Sequence, residues 1–241
     1  MRLLNNREEV ISYIKKRREE GAKVVDFGNS GDSWTKDFVD AIVDIDPKPQ
    51  SEKKSYSANF NYPSSFKNID KYNISITSHT LEDLRTPNFL LDALELLSDE
   101  GFIIVPSSYS EFSYLESFNY LGCCHHRWIF TFDGEKLVIY PKLPILNLFF
   151  GTTLFYRRIF SVSPKIKVLL KIHYPLIYIF NFLFKRRLKN NNKINKREEL
   201  IIHWKKQINY KFINNDFMPS GQAIINWYKN ILINDENMKT Q

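Results

Sequence analysis

Four short apolar runs, each ending at a glycine, an acid or another turn residue, do most to limit what this chain can fold into. Val24-Val-Asp-Phe27 breaks at Gly28, and Ala41-Ile-Val-Asp-Ile45 is followed by Asp46. Tyr72-Asn-Ile-Ser-Ile-Thr77 runs into Ser78, and Gly101-Phe-Ile-Ile-Val105 stops at Pro106. Runs this short and this apolar suit strands covered on both faces better than helices. Helical signals lie between and before them. Asn6-Arg-Glu-Glu9 has the form of a capping box, Val10, Ile11 and Ile14 give a helical stripe, and Gly21 sits where a helix stops. An amphipathic segment from Pro87 to Leu97 separates the third and fourth runs. Strands alternating with helices predict βαβ units and a parallel sheet.

The pattern changes after residue 125. Arg127-Trp-Ile-Phe-Thr-Phe132, Asp133-Gly134 and Glu135-Lys-Leu-Val-Ile-Tyr140 read as a hairpin with a two-residue turn. From Pro141 to Asn190 there are ten Lys/Arg, ten aromatic residues and no Asp or Glu. Taking those ten cations from the net charge of +7 leaves the rest of the chain at −3, so the positive charge is local. Leu200 to Ile213 then alternates as strands do, and Ile224 to Leu232 reads as an amphipathic helix. With 241 residues, 43% hydrophobic, the chain is read as one domain spanning 1–241, with residues 141–196 as a basic, aromatic insertion.

Other features narrow the setting. Cys123 and Cys124 are adjacent and form no disulfide framework, which fits a reducing compartment. The N-terminus lacks the apolar core of a signal peptide. No stretch reaches the roughly 18 uncharged apolar residues of a membrane span; Ile172 to Phe184 is shorter and contains His173, Pro175 and Asn181. A cytoplasmic protein, peripheral to a membrane if the insertion docks there, is the expectation.

Val24 to Trp34 carries the first functional signal: a strand running into a turn of small residues, where a backbone can approach a nucleotide-like ligand closely. Some seventeen residues on, the second run ends in Val43-Asp-Ile-Asp46, an acid placed to accept hydrogen bonds from ribose hydroxyls.

With these residues in view the chain resembles the class I S-adenosylmethionine-dependent methyltransferases. Within them it resembles a type 11-like subgroup, through Ser78-His-Thr-Leu-Glu-Asp-Leu-Arg85 with Pro87, Gly101 to Ser107 with Glu111, His125-His-Arg-Trp128, and Pro141-Lys142. The resemblance covers about residues 20 to 142. It implies a Rossmann-like α/β domain with a seven-stranded, mostly parallel sheet, one antiparallel strand near the C-terminus and helices on both faces. It also implies roles at matching positions. Asp26, Gly28, Asn29 and Ser30 would line the methionine and ribose side. Asp44 would take the ribose hydroxyls, with Asp46 as second choice. Asn59 and Phe60 would surround the adenine, Ile45 would also contact the cofactor, and Ser78 and His79 would close the pocket under the methyl donor. Ser30 and Asp32 stand where the commonest family pattern has glycines, and Asn59 where it has an acid.

Cys123-Cys-His-His126 offers four good zinc ligands in a row, but four consecutive residues cannot surround one tetrahedral ion, and no metal site is expected from them. His125 or His126 is instead a candidate general base for methylating a hydroxyl, with Glu111 as a competing base. A purely structural role for the histidines stands beside that reading. The insertion suits an anionic membrane surface or a lipid-linked substrate, a lid or dimer surface, or single-stranded nucleic acid. The expected activity is methyl transfer from S-adenosylmethionine, leaving S-adenosylhomocysteine, to a sugar or glycan oxygen. The alternatives are a non-catalytic methyltransferase-like binding module and a nucleic-acid methyltransferase. The chain lacks the Asn/Asp-Pro-Pro-aromatic tetrapeptide of amino-methylating DNA enzymes and the Pro-Cys nucleophile of cytosine enzymes.

Overall fold

The computed structural model describes residues 1–29, 34–48, 53–111, 122–143 and 198–213. Ser30, Asp32, nearly all of the basic insertion and the helix expected at 224–232 lie outside them.

The main sheet has seven strands: β1 (Arg2–Leu4), β2 (Val24–Phe27), β3 (Ala41–Asp44), β4 (Lys54–Ser57), β5 (Tyr72–Ser78), β6 (Ser98–Pro106) and β9 (Glu199–Lys205). Their order across the sheet is β1-β9-β6-β5-β2-β3-β4. β9 is antiparallel to both its neighbours and all other pairings are parallel. The sheet is therefore parallel except for one strand late in the chain, as the sequence leads one to expect. β2 lies inside the sheet beside the central β5: the chain steps outward from it to β3 and β4, then returns to its other side at β5.

Successive residues of the strands feed two different cores, as a pleat requires. Val24, Ile42, Ile74, Ile76, Phe102 and Ile104 pack on one face against Val10 and Ile14 of α1 (Arg7–Glu19). Val25, Val43, Ile103 and Val105 face the opposite way, toward Leu90, Leu91 and Leu94 of α2 (Pro87–Leu97). Asn6 caps α1 by accepting from the Glu9 N–H at 3.0 Å, while the Glu9 carboxylate reaches Asn5 rather than the cap residue. Gly21 follows the helix at φ +87°.

A second, three-stranded sheet, β10-β8-β7, covers the α2 side. It comprises β7 (Trp128–Phe132), β8 (Leu137–Pro141) and β10 (Tyr210–Phe212), with α3 (Ser108–Glu111) leading toward it. Phe130, Phe132, Leu137 and Ile139 join the α2-side core. The hairpin is present, but its connection is longer than expected: Phe132 pairs with Leu137, leaving four residues between. The Asp133 carboxylate accepts from the N–H groups of Glu135 and Lys136, which stabilises this wider turn. The two edge strands of the main sheet are too short or too polar to read as apolar runs. β4 is Lys-Ser-Tyr-Ser at one edge, and β1 at the other edge is held by pairing with β9, some 200 residues away.

Trp204 on β9 is fully buried in the α2-side core. Trp204→Ala is expected to cost about 3–5 kcal/mol, read as a lower denaturant midpoint with little change in slope.

Candidate functional site

The carboxyl ends of β2, β3, β4 and β5 converge where the strand order reverses, the position at which open α/β sheets hold ligands. There they enclose a cavity of about 240 Å³. Gly28 contributes from β2, Asp44 and Ile45 from β3, Asn59 and Phe60 from the segment after β4, and His79 from the end of β5. Six of the residues expected around a cofactor are thus brought together. Gly28 is held at φ +87°, and a Cβ there would lie 1.9 Å from the Thr80 hydroxyl, so the tight passage between the β2 and β5 ends depends on glycine. Asp44 accepts from the Asp46 N–H through Oδ1 at 3.1 Å. Asp46 itself is exposed and lies off the cavity wall. Phe60 is buried, stacked on Phe66 at 5.9 Å between centroids, and presents an aromatic wall.

Other expected residues stand behind this wall. Asp26 is buried at the end of β2 and accepts from Asn29 Nδ2 at 2.8 Å and from the Thr35 hydroxyl. Neither Asp26 nor Asn29 lines the described cavity. Ser78 supplies a carbonyl to the Thr80 hydroxyl at 3.2 Å. Ser30 lies outside the described residues.

His79 closes the β5 end in a left-handed conformation, φ 53°, with its N–H donated to the Ile104 carbonyl. Its ring bridges two carboxylates: Nδ1 is 3.1 Å from Glu82 Oε1, and Nε2 is 2.6 Å from Glu199 Oε1. Arg7 grips Glu199 with two of its nitrogens and lies 5.0 Å over the Trp34 ring. Burial works against a charged His79 ring, but the bonds to Glu199 and Glu82 prevail and raise its pKa to about 9. Burial would likewise raise Glu199, yet the bonds from His79 and Arg7 bring it down to about 2.

A second cluster adjoins the cavity. Glu111, at the end of α3, is buried, and its carboxylate meets His126 Nδ1 at 2.6 Å and Lys142 Nζ at 2.5 Å. Lys142 also donates to the Cys123 carbonyl at 2.8 Å. Gly122 fits beside this pair at φ +57°, where a Cβ would lie 2.5 Å from Glu111 Oε2. Burial opposes a charged His126, and the Glu111 bond outweighs it, so this ring holds its proton more firmly than a free imidazole. His126 and Lys142 thus occupy the two oxygens of Glu111, the competing base candidate. His125 is more exposed, its ring 4.7 Å from that of His126.

Asp83, which lies inside the Ser78–Arg85 stretch but is not among the expected site residues, completes this cluster. It lines the cavity, and its Oδ1 lies 3.7 Å from His125 Nε2 and 3.9 Å from His126 Nε2. The two motif stretches are stapled together here: the Arg127 N–H donates to the Glu82 carbonyl at 2.6 Å, and Trp128 Nε1 donates to the Leu84 carbonyl at 2.7 Å. Forty-odd residues separate the partners, so neither contact is legible from spacing.

No protein-family model matches the chain, and no curated protein matches it. Several solved structures are similar to part of it. A Thermoplasma acidophilum protein is 13% identical at a TM-score of 0.29, over 39% of this chain and 59% of that one. The N-terminal domain of EvdMO1, crystallised in the presence of SAH and D-fucose, is 10% identical at 0.32, over 50% of this chain and 57% of that one. The methyltransferase domain of bacterial CtHen1 is 16% identical at 0.33, over 48% and 72%. The chain thus spans under three fifths of the length of the first two. Likenesses at this level assign no residue roles. The α/β fold is read from the strand order, and the site from its own geometry.

The His79–Glu199 pair predicts a pH dependence. His79 is raised from 6.5 to about 9, so its contribution to stability is complete below pH 6.5 and disappears as pH rises through 9. Glu199 is lowered from 4.5 to about 2, so its contribution holds above pH 4.5 and disappears as pH falls toward 2. Stability from this pair is greatest between those limits. With 41% of the His79 side chain exposed, solvent screening keeps the effect modest. Denaturant midpoints should fall from pH 7 to pH 9, and His79→Ala should flatten that fall.

Proposed function

We propose that the chain is an S-adenosylmethionine-dependent methyltransferase whose acceptor is an oxygen, a sugar hydroxyl of a glycan or lipid-linked saccharide. One observation carries the reading: four strand ends meet at the switch point of the sheet on a cavity with a carboxylate on one wall and a buried aromatic on another.

The residues present suit the nucleoside end of that cofactor. At about 240 Å³ the cavity is smaller than the roughly 300–1,000 Å³ of a complete small-molecule site. Residues 30–33, which follow Asn29 directly, lie outside the described chain. Asp44 Oδ2 has no hydrogen-bond partner among the described residues and would accept from the ribose hydroxyls. Phe60 and Ile45 would flank the adenine, and Asn59 would meet its polar edge. Gly28 lets the backbone approach, and His79 with Thr80 closes the floor. The cofactor, when bound, supplies an activated methyl group, so the work left to the protein is alignment and the handling of a proton.

The proton falls to the cluster at the cavity rim. An oxygen acceptor must lose its proton as the new bond forms. His126 is held in one orientation by Glu111, which Lys142 fixes in turn, and Asp83 links this group to the cavity wall. The acceptor class rests on that cluster and on the family resemblance.

Calorimetry tests the cofactor reading. S-adenosylmethionine or S-adenosylhomocysteine should bind, and Asp44→Ala should weaken binding by about 1–3 kcal/mol through loss of charge-assisted hydrogen bonds. Absence of binding at millimolar cofactor would sink the enzyme reading. Transfer of labelled methyl groups to glycan or glycolipid extracts should fall at least about a hundredfold in His126→Ala, with cofactor affinity nearly unchanged.

A further inference from the structure

The geometry points to a divalent transition-metal site formed by Asp83, His125 and His126 at the rim of the cavity. One ligand atom from each of these residues lies within 4.8 Å of the others. The Asp83 Oδ1 separations of 3.7 and 3.9 Å from the two Nε2 atoms are too long for hydrogen bonds. They are close to the spacing of donors around one ion: bonds of about 2.0–2.2 Å put tetrahedral ligand atoms roughly 3.3–3.6 Å apart. His125 is 58% exposed and can turn to close the remaining gap, and Asp83 is also at the surface.

The second observation concerns His126. Its Nδ1 is engaged by the buried Glu111 at 2.6 Å, which leaves Nε2 directed at Asp83 and His125. A carboxylate on the far nitrogen of a histidine fixes the tautomer and makes the free nitrogen a better ligand, the usual outer shell of a metal-bound imidazole. Lys142 neutralises Glu111, so that carboxylate does not itself compete for the ion. Asp83, by contrast, has no cationic partner at hydrogen-bonding distance among the described residues; its charge faces only the two imidazoles. Two imidazoles and one carboxylate suit zinc, cobalt(II), iron(II) or manganese(II), and three protein ligands leave a position open. The adjacent cysteines are not needed, because the third donor, Asp83, comes from a different segment. Binding of the ion does not depend on the methyltransferase reading. That an acceptor hydroxyl would fill the open position, because Asp83 lines the cavity, does rest on it. With the ion bound, His126 Nε2 would be a ligand rather than a base, and the ion would ease loss of the acceptor's proton in its place.

Cobalt(II) is the probe, added to metal-free full-length chain without S-adenosylmethionine, so that failure here is separate from failure of cofactor binding. One equivalent should bind, with visible d–d absorption. Asp83→Asn and His125→Ala should each weaken it at least tenfold, and Glu111→Gln about 10–100-fold. Circular dichroism checks that each variant is folded, and Cys123→Ser/Cys124→Ser should bind as the parent does. The site is disproved if the folded parent takes up no stoichiometric cobalt at 1 mM. It is equally disproved if binding survives unchanged in Asp83→Asn and His125→Ala, or brings intense near-ultraviolet thiolate absorption that the double serine variant abolishes.

Discussion

Both ring nitrogens of His79 are used, and much of the site hangs on that. A parallel sheet leaves its strand ends together, with carbonyls and turns that must be closed by polar groups. Here the β5 end is closed by one residue, which donates its N–H to β6 and lays its ring between Glu82 and Glu199. Glu199 begins β9, the antiparallel strand, and is gripped by Arg7 at the start of α1. The first helix, the central strand end and the late strand are thus tied at one point beside the cavity. The left-handed backbone at His79 turns the chain sharply enough for Thr80 to meet Gly28 and for Glu82 and Asp83 to face the histidine loop.

Apolar runs were legible because two cores demand them. Val24 to Phe27, Ala41 to Val43 and Gly101 to Val105 are covered on both faces, so every residue in them is interior. β4 has one edge open and half-exposed side chains, so Lys-Ser-Tyr-Ser offers no such signal. β1 exists through its pairing with β9, a contact that local sequence does not encode. The same division holds at the site. Gly28 and Asp44 mark the ends of readable strands and fall on the cavity, whereas Asp26 and Asn29 turn inward to each other and to Thr35. Asp83 carries no local signal, because it sits in a turn beside an equally acidic Glu82, and only the folded chain distinguishes the buried one from the exposed one.

The buried trio of Glu111, His126 and Lys142 is not a source of stability in any simple sense. Removing charges from water costs several kcal/mol per ion, and the attraction regained commonly no more than offsets it. What such a group does provide is orientation, since each member has few alternative partners and each loss leaves a buried charge uncompensated. Glu111 has one oxygen on a ring nitrogen and one on an ammonium, and Gly122 leaves it no lateral room. The consequence is a single direction for His126 Nε2, toward the rim.

Orientation of that kind matters only if the opposing wall is equally fixed, and two hydrogen bonds fix it. Arg127 and Trp128 donate to the carbonyls of Glu82 and Leu84, on either side of Asp83. Trp128 also packs edge-on to Phe212, which carries the constraint into the second sheet. Asp83 and the histidine pair are therefore held face to face by backbone and core contacts, and not by any bond between the three side chains. His126 and Asp83 are thus placed by their surroundings, while the more exposed His125 keeps the freedom to adjust. Ordinary surface ion pairs have no such scaffold, because they settle onto each other directly.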